Sequence, residues 1–238
     1  MKNLIKNLLK KGGYQLAGYP DFDQSRRMKI VRRYEIDILL DIGANDGAYA
    51  RTMRELGYSN KIISFEPLKS VFKELQKASS NDENWSVNNF ALGNEDMPGI
   101  INVSDNLVSS SILDILPIHV MNAPASKYVN KEQIEIKKLD TIFNSFCKVE
   151  DNLMLKIDTQ GFEKNVIDGA VQSLKYIKVI QLEMSLTQLY ENEMLFIDMI
   201  TYLENLNFKL FSLENGFADL ATGQLLQADG IFVNKSFI

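Results

Sequence analysis

The sequence predicts an α/β fold built on a doubly wound, mostly parallel sheet with an antiparallel pair of strands at one edge. Short apolar runs alternate with segments of helical spacing along most of the 238 residues, which indicates a parallel sheet covered by helices on both faces. Several runs are almost continuously apolar, as expected of strands that are buried on both faces. The last two predicted strands have no helix between them, so we expect them to pair antiparallel.

The first half of the predicted sheet is the most clearly marked part of the chain. In order we expect a strand over 36–42, a helix over 47–56, a strand over 61–65, a helix over 68–78 and a strand over 85–92. Gly43 follows the first strand directly, and Gly57 follows the first helix at the usual C-terminal position. These glycines support the ends assigned to both elements.

The middle of the chain is weakly patterned. Residues 100–103 are a candidate strand, but the segment 99–133 also contains Pro117 and Pro124 and is predicted to be mostly loop. Order resumes over 134–139. The remaining elements are expected to be a strand over 153–158, a helix over 163–174, a strand over 177–184, a helix over 194–206 and two strands over 209–213 and 230–233.

The chain length suits one large domain with a short N-terminal annex. We predict a helical extension over 1–35 and the main domain over 36–238. Four apolar side chains share one face of the first predicted helix, and lysines occupy much of the rest: Leu4, Ile5, Leu8 and Leu9. We expect this helix to pack on its own domain or on the second subunit of a homodimer. Attachment to an anionic membrane surface is the alternative.

The composition excludes several classes of function. Because 31 Asp and Glu residues outnumber 26 Lys and Arg, the formal net charge is −5 and no nucleic-acid partner is predicted. The single Cys147 leaves no internal disulfide and fits a cytoplasmic location. With His119 as the one histidine, we expect neither a zinc site of several Cys and His ligands nor a Ser-His-Asp hydrolase. No apolar run approaches the roughly 18 residues of a transmembrane segment.

The turn after the first strand predicts a ligand site at the carboxyl edge of the sheet. Gly43 and Gly47 permit a close backbone approach, and the helix that starts there presents unpaired N–H groups that favour an anion. A dinucleotide turn would carry three glycines. Asp41 would repel a pyrophosphate here but could pair with the ammonium group of S-adenosylmethionine. Glu66, at the end of the second strand, is placed to accept hydrogen bonds from both hydroxyls of a ribose.

Five short motifs resemble those of FkbM-type methyltransferases and occur in the same order. They are DIGANDG at 41–47, SFEP at 64–67, ALG at 91–93, LKIDTQGFE at 155–163 and GA at 169–170. The resemblance extends from about residue 36 to the closing DGIFV at 229–233. It implies that 36–238 is a class I methyltransferase domain with seven strands, the last inserted antiparallel. It also implies S-adenosylmethionine as the cofactor and methyl transfer, usually to oxygen.

The same resemblance assigns cofactor contacts to individual residues. The methionine part would be surrounded by the first turn, namely Asp41, Gly43, Ala44, Asn45 and Gly47. Glu66 would hold the ribose, with Pro67 beside it, and backbone groups at Ala91 and Leu92 would face the adenine. Asp158 would lie beside the transferable methyl group. Asn45 replaces the middle glycine of the turn found in methyltransferases at large, which is normal in this group.

Three carboxylates are candidates for the catalytic base. Asp158 is the first choice, and Glu183 and Glu163 are the alternatives. Each also has a structural interpretation: Asp158 could cap the helix after Gly161, Glu163 could favour the dipole of that helix, and Glu183 could form an ion pair. We expect Lys156 to pair with a carboxylate. Asp158 and Glu183 could together bind Mg²⁺, but the spacing does not require it, and no metal site is predicted.

The weakly patterned segment 105–131 is expected to form a wall over the substrate. Its candidate substrate contacts are Ser109, Ser110, Ser111 and His119, although His119 is also expected to lie in an exposed loop. Following the resemblance, the predicted acceptor is a hydroxyl of a sugar, glycan or related small molecule. Two other functions remain open. One is an NAD-dependent oxidoreductase, although the third glycine of a dinucleotide-binding turn is absent from this sequence. The other is a non-catalytic, methyltransferase-like partner protein.

Overall fold

The computed structural model describes residues 9–14 and 18–238. The apolar face predicted near the N-terminus lies mostly outside these residues, so its packing partner stays a prediction. No helix in the described part of the chain is long and apolar enough to cross a membrane.

The described strands form two sheets with helices packed against them. In chain order the strands are β1 (Ile38–Ile42), β2 (Lys61–Phe65), β3 (Trp85–Asn88), β4 (Ala91–Leu92), β5 (Met97–Ser104), β6 (Tyr128–Lys137), β7 (Leu153–Ile157), β8 (Ile177–Ser185), β9 (Phe208–Asn215) and β10 (Gln227–Asn234). The α-helices are α1 (Phe22–Arg33), α2 (Ala48–Glu55), α3 (Lys69–Ser79), α4 (Pro117–Asn122), α5 (Leu139–Phe146), α6 (Glu163–Asp168) and α7 (Phe196–Asn205).

The larger sheet has seven strands in the order β3-β2-β1-β7-β8-β10-β9. The five strands from β3 to β8 in this order are parallel to their neighbours. Strand β10 lies between β8 and β9 and is antiparallel to both, with Asp229 opposite Glu183 of β8. This topology confirms the predicted fold class, including the seven strands and the antiparallel pair at the edge.

The central strand β1 is buried on both faces, as its apolar sequence predicts. All five of its residues are buried. Leu39 packs into the core cluster that includes Met53 of α2, whereas Leu40 packs into the cluster that includes Val166 of α6. Alternate residues of β1 therefore join the sheet to helices on opposite faces.

Helix α1 belongs to the predicted N-terminal extension. Asp21 accepts a hydrogen bond from the backbone N–H of Gln24 at 2.7 Å, and the Gln24 side chain accepts one from Asp21 in return. This capping box satisfies two N–H groups at the start of the helix. Met28 and Val31 are buried in the same core cluster as Leu39. The helix thus packs on the main sheet.

The predicted strand over 85–92 is two strands in the structure. Strand β3 ends at Asn88 in the large sheet, and β4 belongs to a separate three-stranded sheet of order β4-β6-β5. Strands β5 and β6 pair antiparallel within the segment 99–133, where mostly loop was expected. Most residues of β6 are exposed or half-buried and many are charged, so the strand lacks the apolar run that would mark it.

The helix predicted over 163–174 is shorter in the structure, since α6 ends at Asp168. Gly169 follows, and a Cβ built there would lie 1.9 Å from the carbonyl oxygen of Gly93. This close backbone approach allows only glycine at the end of α6. Residues 174–176 form a separate 3₁₀ turn that leads into β8.

Candidate active site

A cleft opens at the carboxyl ends of the parallel strands. The ends of β1, β2 and β7 form its floor, and Ala91 and Leu92 of β4 form one side. The segment 107–112 contributes another wall. This position is where open α/β sheets bind their ligands.

The turn after β1 is too crowded to accept larger residues at its glycines. Gly43 has φ +72°, and a Cβ there would lie 1.9 Å from the carbonyl oxygen of Asp158. Gly47 has φ +86°, and a Cβ there would lie 2.7 Å from Cη2 of Trp85. Asn45 also lies in the left-handed region, with φ +49°. The turn thus brings the backbone of β1 against the end of β7.

Glu66 connects this turn to the start of α3. Its Oε2 accepts a hydrogen bond from the backbone N–H of Asn45 at 3.0 Å, and its Oε1 accepts one from Leu68 at 2.8 Å. Burial raises the pKa of Glu66 to about 7, although these two N–H groups oppose the shift. Glu66 lines the cleft, so its carboxyl group can bind a ligand while it holds the turn.

Asp41 is fully buried and is not one of the side chains that line the cleft. Its Oδ2 accepts a hydrogen bond from Oγ of Ser64 at 3.1 Å, and its Oδ1 lies 3.4 Å from Nζ of Lys156. Burial raises the pKa of Asp41, and the charge of Lys156 opposes the shift. In this structure Asp41 contacts Lys156 directly, and contact with a bound ammonium group stays a prediction.

Lys156 also lies 3.6 Å from Oδ2 of Asp158. Burial alone would lower the pKa of Lys156, but the carboxylates of Asp158 and Asp41 raise it above its usual value. The lysine is therefore a charged group held between two carboxylates. The expected pairing of Lys156 with a carboxylate agrees with this geometry.

Asp158 and Glu183 share one hydrogen-bond donor. Nε2 of Gln160 lies 2.7 Å from Oδ1 of Asp158 and 3.1 Å from Oε2 of Glu183. Asp158 lines the cleft and keeps 39% of its side chain exposed. Glu183 is not among the cleft-lining residues, and burial raises its pKa well above the usual value, with the charges of Asp158 and Glu163 adding to the shift.

Glu163 stabilises the turn between β7 and α6. Its Oε1 accepts hydrogen bonds from the backbone N–H groups of Thr159 at 2.9 Å and Gly161 at 3.2 Å. Burial raises the pKa of Glu163 to about 7. Glu163 does not line the cleft. The residue at the cap of α6 is Phe162, without a side-chain cap, so the interpretation of Asp158 as that cap is wrong.

The serine cluster lies partly at the cleft. Ser110 and Ser111 line it, and Ser109 does not. The hydroxyl of Ser111 donates to the backbone carbonyl of Gln160 at 2.7 Å, which fastens the wall segment to the turn after β7. Direct contact between these serines and a substrate stays a prediction.

The expectation that His119 lies in an exposed loop is wrong. His119 belongs to α4 and is only 3% exposed. Its ring packs edge-on against Tyr190 at 5.1 Å between centroids, and burial lowers its pKa to about 4. His119 does not line the cleft. The segment folds into a short helix with apolar neighbours, which its weak pattern did not reveal.

The structure brings nine of the predicted site residues to the cleft: Gly43, Asn45, Glu66, Pro67, Ala91, Leu92, Ser110, Ser111 and Asp158. Seven others do not line it: Asp41, Ala44, Gly47, Ser109, His119, Glu163 and Glu183. The sequence analysis did not identify Phe65, Leu68, Ile101 and Phe162 as lining residues. It expected 105–131 to form a wall but did not single out the apolar Leu107, Val108 and Ile112 within that segment. It also did not identify Gln160, although this residue lies in the motif LKIDTQGFE at 155–163.

Within the described residues, no group of three or more His, Cys, Asp or Glu side chains is arranged to hold a metal ion. The pair weighed for Mg²⁺, Asp158 and Glu183, is bridged by an amide nitrogen in this structure.

The sheet order, the glycine turn after β1 and the carboxylate at the end of β2 are those of the Rossmann-like class I methyltransferase fold. A family profile described as the methyltransferase FkbM domain matches residues 41–210. The chain belongs to this family, which confirms the resemblance seen in its motifs.

Solved structures similar to this chain have low sequence identity to it. An uncharacterized protein from Listeria monocytogenes is 11% identical, with a TM-score of 0.46 over 87% of this chain and 66% of its own. TehB from Haemophilus influenzae is 9% identical, with a TM-score of 0.48 over 90% and 62%. Fibrillarin from Aeropyrum pernix, solved with bound S-adenosylmethionine, is 11% identical, with a TM-score of 0.47 over 83% and 66%. This chain spans less than two thirds of each. A sequence search of curated proteins found no significant match.

Proposed function

We propose that the protein transfers the methyl group of S-adenosylmethionine to a hydroxyl oxygen of a sugar, glycan or related small molecule. One observation carries the proposal: the carboxyl groups of Glu66 and Asp158 line the same cleft. They follow β2 and β7, the two strands that flank β1. Glu66 is thus available to the nucleoside part of the cofactor, and Asp158 is available to the acceptor group that receives the methyl group.

The residues of the cleft fit the cofactor. Each oxygen of Glu66 accepts one backbone N–H group, which leaves further lone pairs for the two ribose hydroxyls. The apolar side chains of Phe65, Leu68 and Leu92 provide the surface that a purine base requires. The backbone N–H groups of the turn 43–47 all donate to acceptors within the protein, so the anion site that the sequence predicts at this turn is not open in the structure.

Asp158 is the proposed base. The bound cofactor supplies a methyl group that its sulfonium already activates. An acceptor hydroxyl must lose its proton near the moment of transfer, and the half-exposed Asp158 is the cleft carboxylate able to accept it. Lys156 and Gln160 hold the two oxygens of this carboxylate, so its position is set before an acceptor arrives. The apolar Leu107 and Val108 at the rim help to exclude water.

The acceptor class rests on the polarity and charge of the protein. Ser110, Ser111 and Asp158 give the cleft a wall of hydroxyl and carboxylate groups that suits a polyhydroxylated ligand. The net charge of −5 disfavours a nucleic-acid acceptor.

We also propose that the protein acts as a homodimer in the cytoplasm, where its single cysteine stays reduced. Light scattering after size-exclusion chromatography tests whether the protein is a dimer.

Calorimetric titration with S-adenosylhomocysteine and with NADH tests the cofactor. We expect binding of the first and none of the second. Binding of NADH alone would favour an oxidoreductase, and binding of neither would favour a non-catalytic partner protein.

Incubation with S-adenosylmethionine and a panel of sugars, sugar nucleotides and oligosaccharides then tests the acceptor. We expect the mass of one product to increase by one methyl group, and methylation of amines only would contradict transfer to oxygen.

A further inference from the structure

We propose that Gln160 is a positioning residue that sets the orientation of the Asp158 carboxylate. This inference rests on the proposed function in one respect, the role of Asp158 as base. The contacts of the Gln160 side chain and the shape of its backbone carry the inference independently.

The amide of Gln160 is fully engaged. Its Nε2 has two hydrogens and two carboxylate neighbours, Asp158 at 2.7 Å and Glu183 at 3.1 Å. Its Oε1 accepts a hydrogen bond from the hydroxyl of Tyr190 at 2.7 Å. The hydroxyl of the buried Tyr190 also lies 3.3 Å from the carbonyl oxygen of Ser109, and the two carboxyl groups set which end of the amide faces them, because they accept from its nitrogen. The amide therefore cannot rotate without losing all three contacts.

The backbone under this side chain is equally constrained. Gln160 has φ +55°, in the left-handed region that residues other than glycine seldom adopt. Ser111 donates to its carbonyl, and Glu163 accepts from the N–H groups on both sides of it. Gly161, with φ +93°, packs so closely on Tyr190 that a Cβ would lie 2.9 Å from Cβ of the tyrosine. A conformation held by so many contacts in a ligand cleft is typical of a functional turn.

The two carboxylates depend on Gln160 to different degrees. Glu183 has a second amide donor, since Nε2 of Gln227 lies 2.6 Å from its Oε2. The only other partner of Asp158 within the described residues is Lys156, at 3.6 Å from Oδ2. Removal of the Gln160 amide would thus release Asp158 and leave Glu183 in place. Lys156 would then draw Asp158 away from its present position.

Crystal structures of the wild type and of Gln160→Met, both with S-adenosylhomocysteine, test the inference without an acceptor. Methionine keeps the length of the side chain and removes the donor. We expect Asp158 to turn toward Lys156 in the variant, while Glu183 keeps its place. An unmoved Asp158 would overturn the inference. The matched control is Gln224→Met, because the Gln224 side chain is exposed and among the described residues it bonds only to Thr187.

Gln160→Glu serves if the methionine variant fails to fold. It keeps the length and can still accept from Tyr190, but it lacks the shared nitrogen, so Asp158 is again expected to move. Failure of the wild type to bind S-adenosylhomocysteine would reject the proposed function and leave the geometric test intact in the unliganded protein. The two failures are therefore distinguishable.

Kinetics with the acceptor from the panel separate positioning from a general structural role. In Gln160→Met we expect kcat to fall by about 10- to 100-fold, with KM for S-adenosylmethionine unchanged. The same substitution in an Asp158→Asn background should cost less than threefold more, because the carboxylate that it positions is gone. Losses that multiply in the double variant, or a raised KM for the cofactor, would contradict the inference.

Discussion

Glu66 is buried at the end of β2, and burial raises the pKa of its carboxyl to about 7 in the free protein. Ribose hydroxyls bind the ionised carboxylate more strongly than the neutral acid. In the proposed ribose role, Glu66 must therefore lose a proton when the cofactor binds below pH 7. We expect the affinity for S-adenosylhomocysteine to fall by up to tenfold for each pH unit below 7 and to level off above it. Calorimetry at pH 6, 7 and 8 measures this dependence.

Glu66→Gln removes the charge and also one of the two oxygens that accept from the backbone N–H groups of Asn45 and Leu68. The amide keeps the shape but loses the charge-assisted hydrogen bonds, each worth about 1.5–3 kcal/mol. We expect affinity at pH 8 to fall by about 10- to 100-fold and its pH dependence to disappear. An unchanged affinity would remove Glu66 from the ribose site.

Asp158→Asn tests the base directly. The substitution keeps the size of the side chain and removes its ability to take a proton, which in general base catalysis costs about 10²- to 10⁴-fold in rate. We expect kcat to fall by that factor while the affinity for S-adenosylhomocysteine is retained. Asp198→Asn, an exposed position on α7, is the control and should keep full activity. Full turnover by Asp158→Asn would reject the base assignment.

Single residues differed in how far the sequence could place them. Glu66 and Asp158 were predicted at the cleft because each directly follows an apolar strand, and the carboxyl ends of parallel strands meet at one edge. His119 was misplaced because its burial depends on long-range contacts with Tyr190 and Phe217, which local spacing does not encode. Gln160 was missed for the same reason, since its partner Glu183 lies 23 positions away.

At the scale of elements, the strands most easily predicted were those buried on both faces. Strand β1 carries a continuous apolar run, and its predicted end at Ile42 is the observed one. Strand β6 has charged and exposed residues along most of its length, so its pairing with β5 and β4 makes it a strand. Tertiary pairing of this kind leaves little trace in local periodicity.

The junction between β1 and β7 offers a test of the glycine turn. In Gly43→Ala a Cβ would lie 1.9 Å from the carbonyl oxygen of Asp158, in a backbone with φ +72°. The clash and the strain together should lower the free energy of unfolding by at least about 2 kcal/mol. The control is Gly57→Ala, which has φ +90° but no atom within 4 Å, and should cost only about 1–2 kcal/mol. Urea denaturation measures both, and equal losses would contradict the close approach.

At the scale of the whole molecule, the cleft lies between two sheets with separate cores. Leu68, Ala91 and Ile101 line the cleft and belong to the core cluster of the small sheet. Ile42 and Phe162 line it from the main cluster. The small sheet therefore serves as a wall of the site.

The buried carboxyl groups also link the stability of the whole fold to pH. Burial raises the pKa of Glu66 and of Glu163 to about 7, above their values in the unfolded chain. The folded protein thus binds protons that unfolding releases, and the associated stability is lost as pH rises through 7. The pKa of His119 is lowered to about 4, so this residue makes the free energy of unfolding increase with pH, but only below about pH 6.5.

From pH 6.5 to 8 we expect the free energy of unfolding of the unliganded protein to fall by roughly 1 kcal/mol for each glutamate, seen as a falling Tm in calorimetric scans. The double variant Glu66→Gln/Glu163→Gln should flatten this slope, and a wild-type Tm that rises over the same range would reject the raised pKa values.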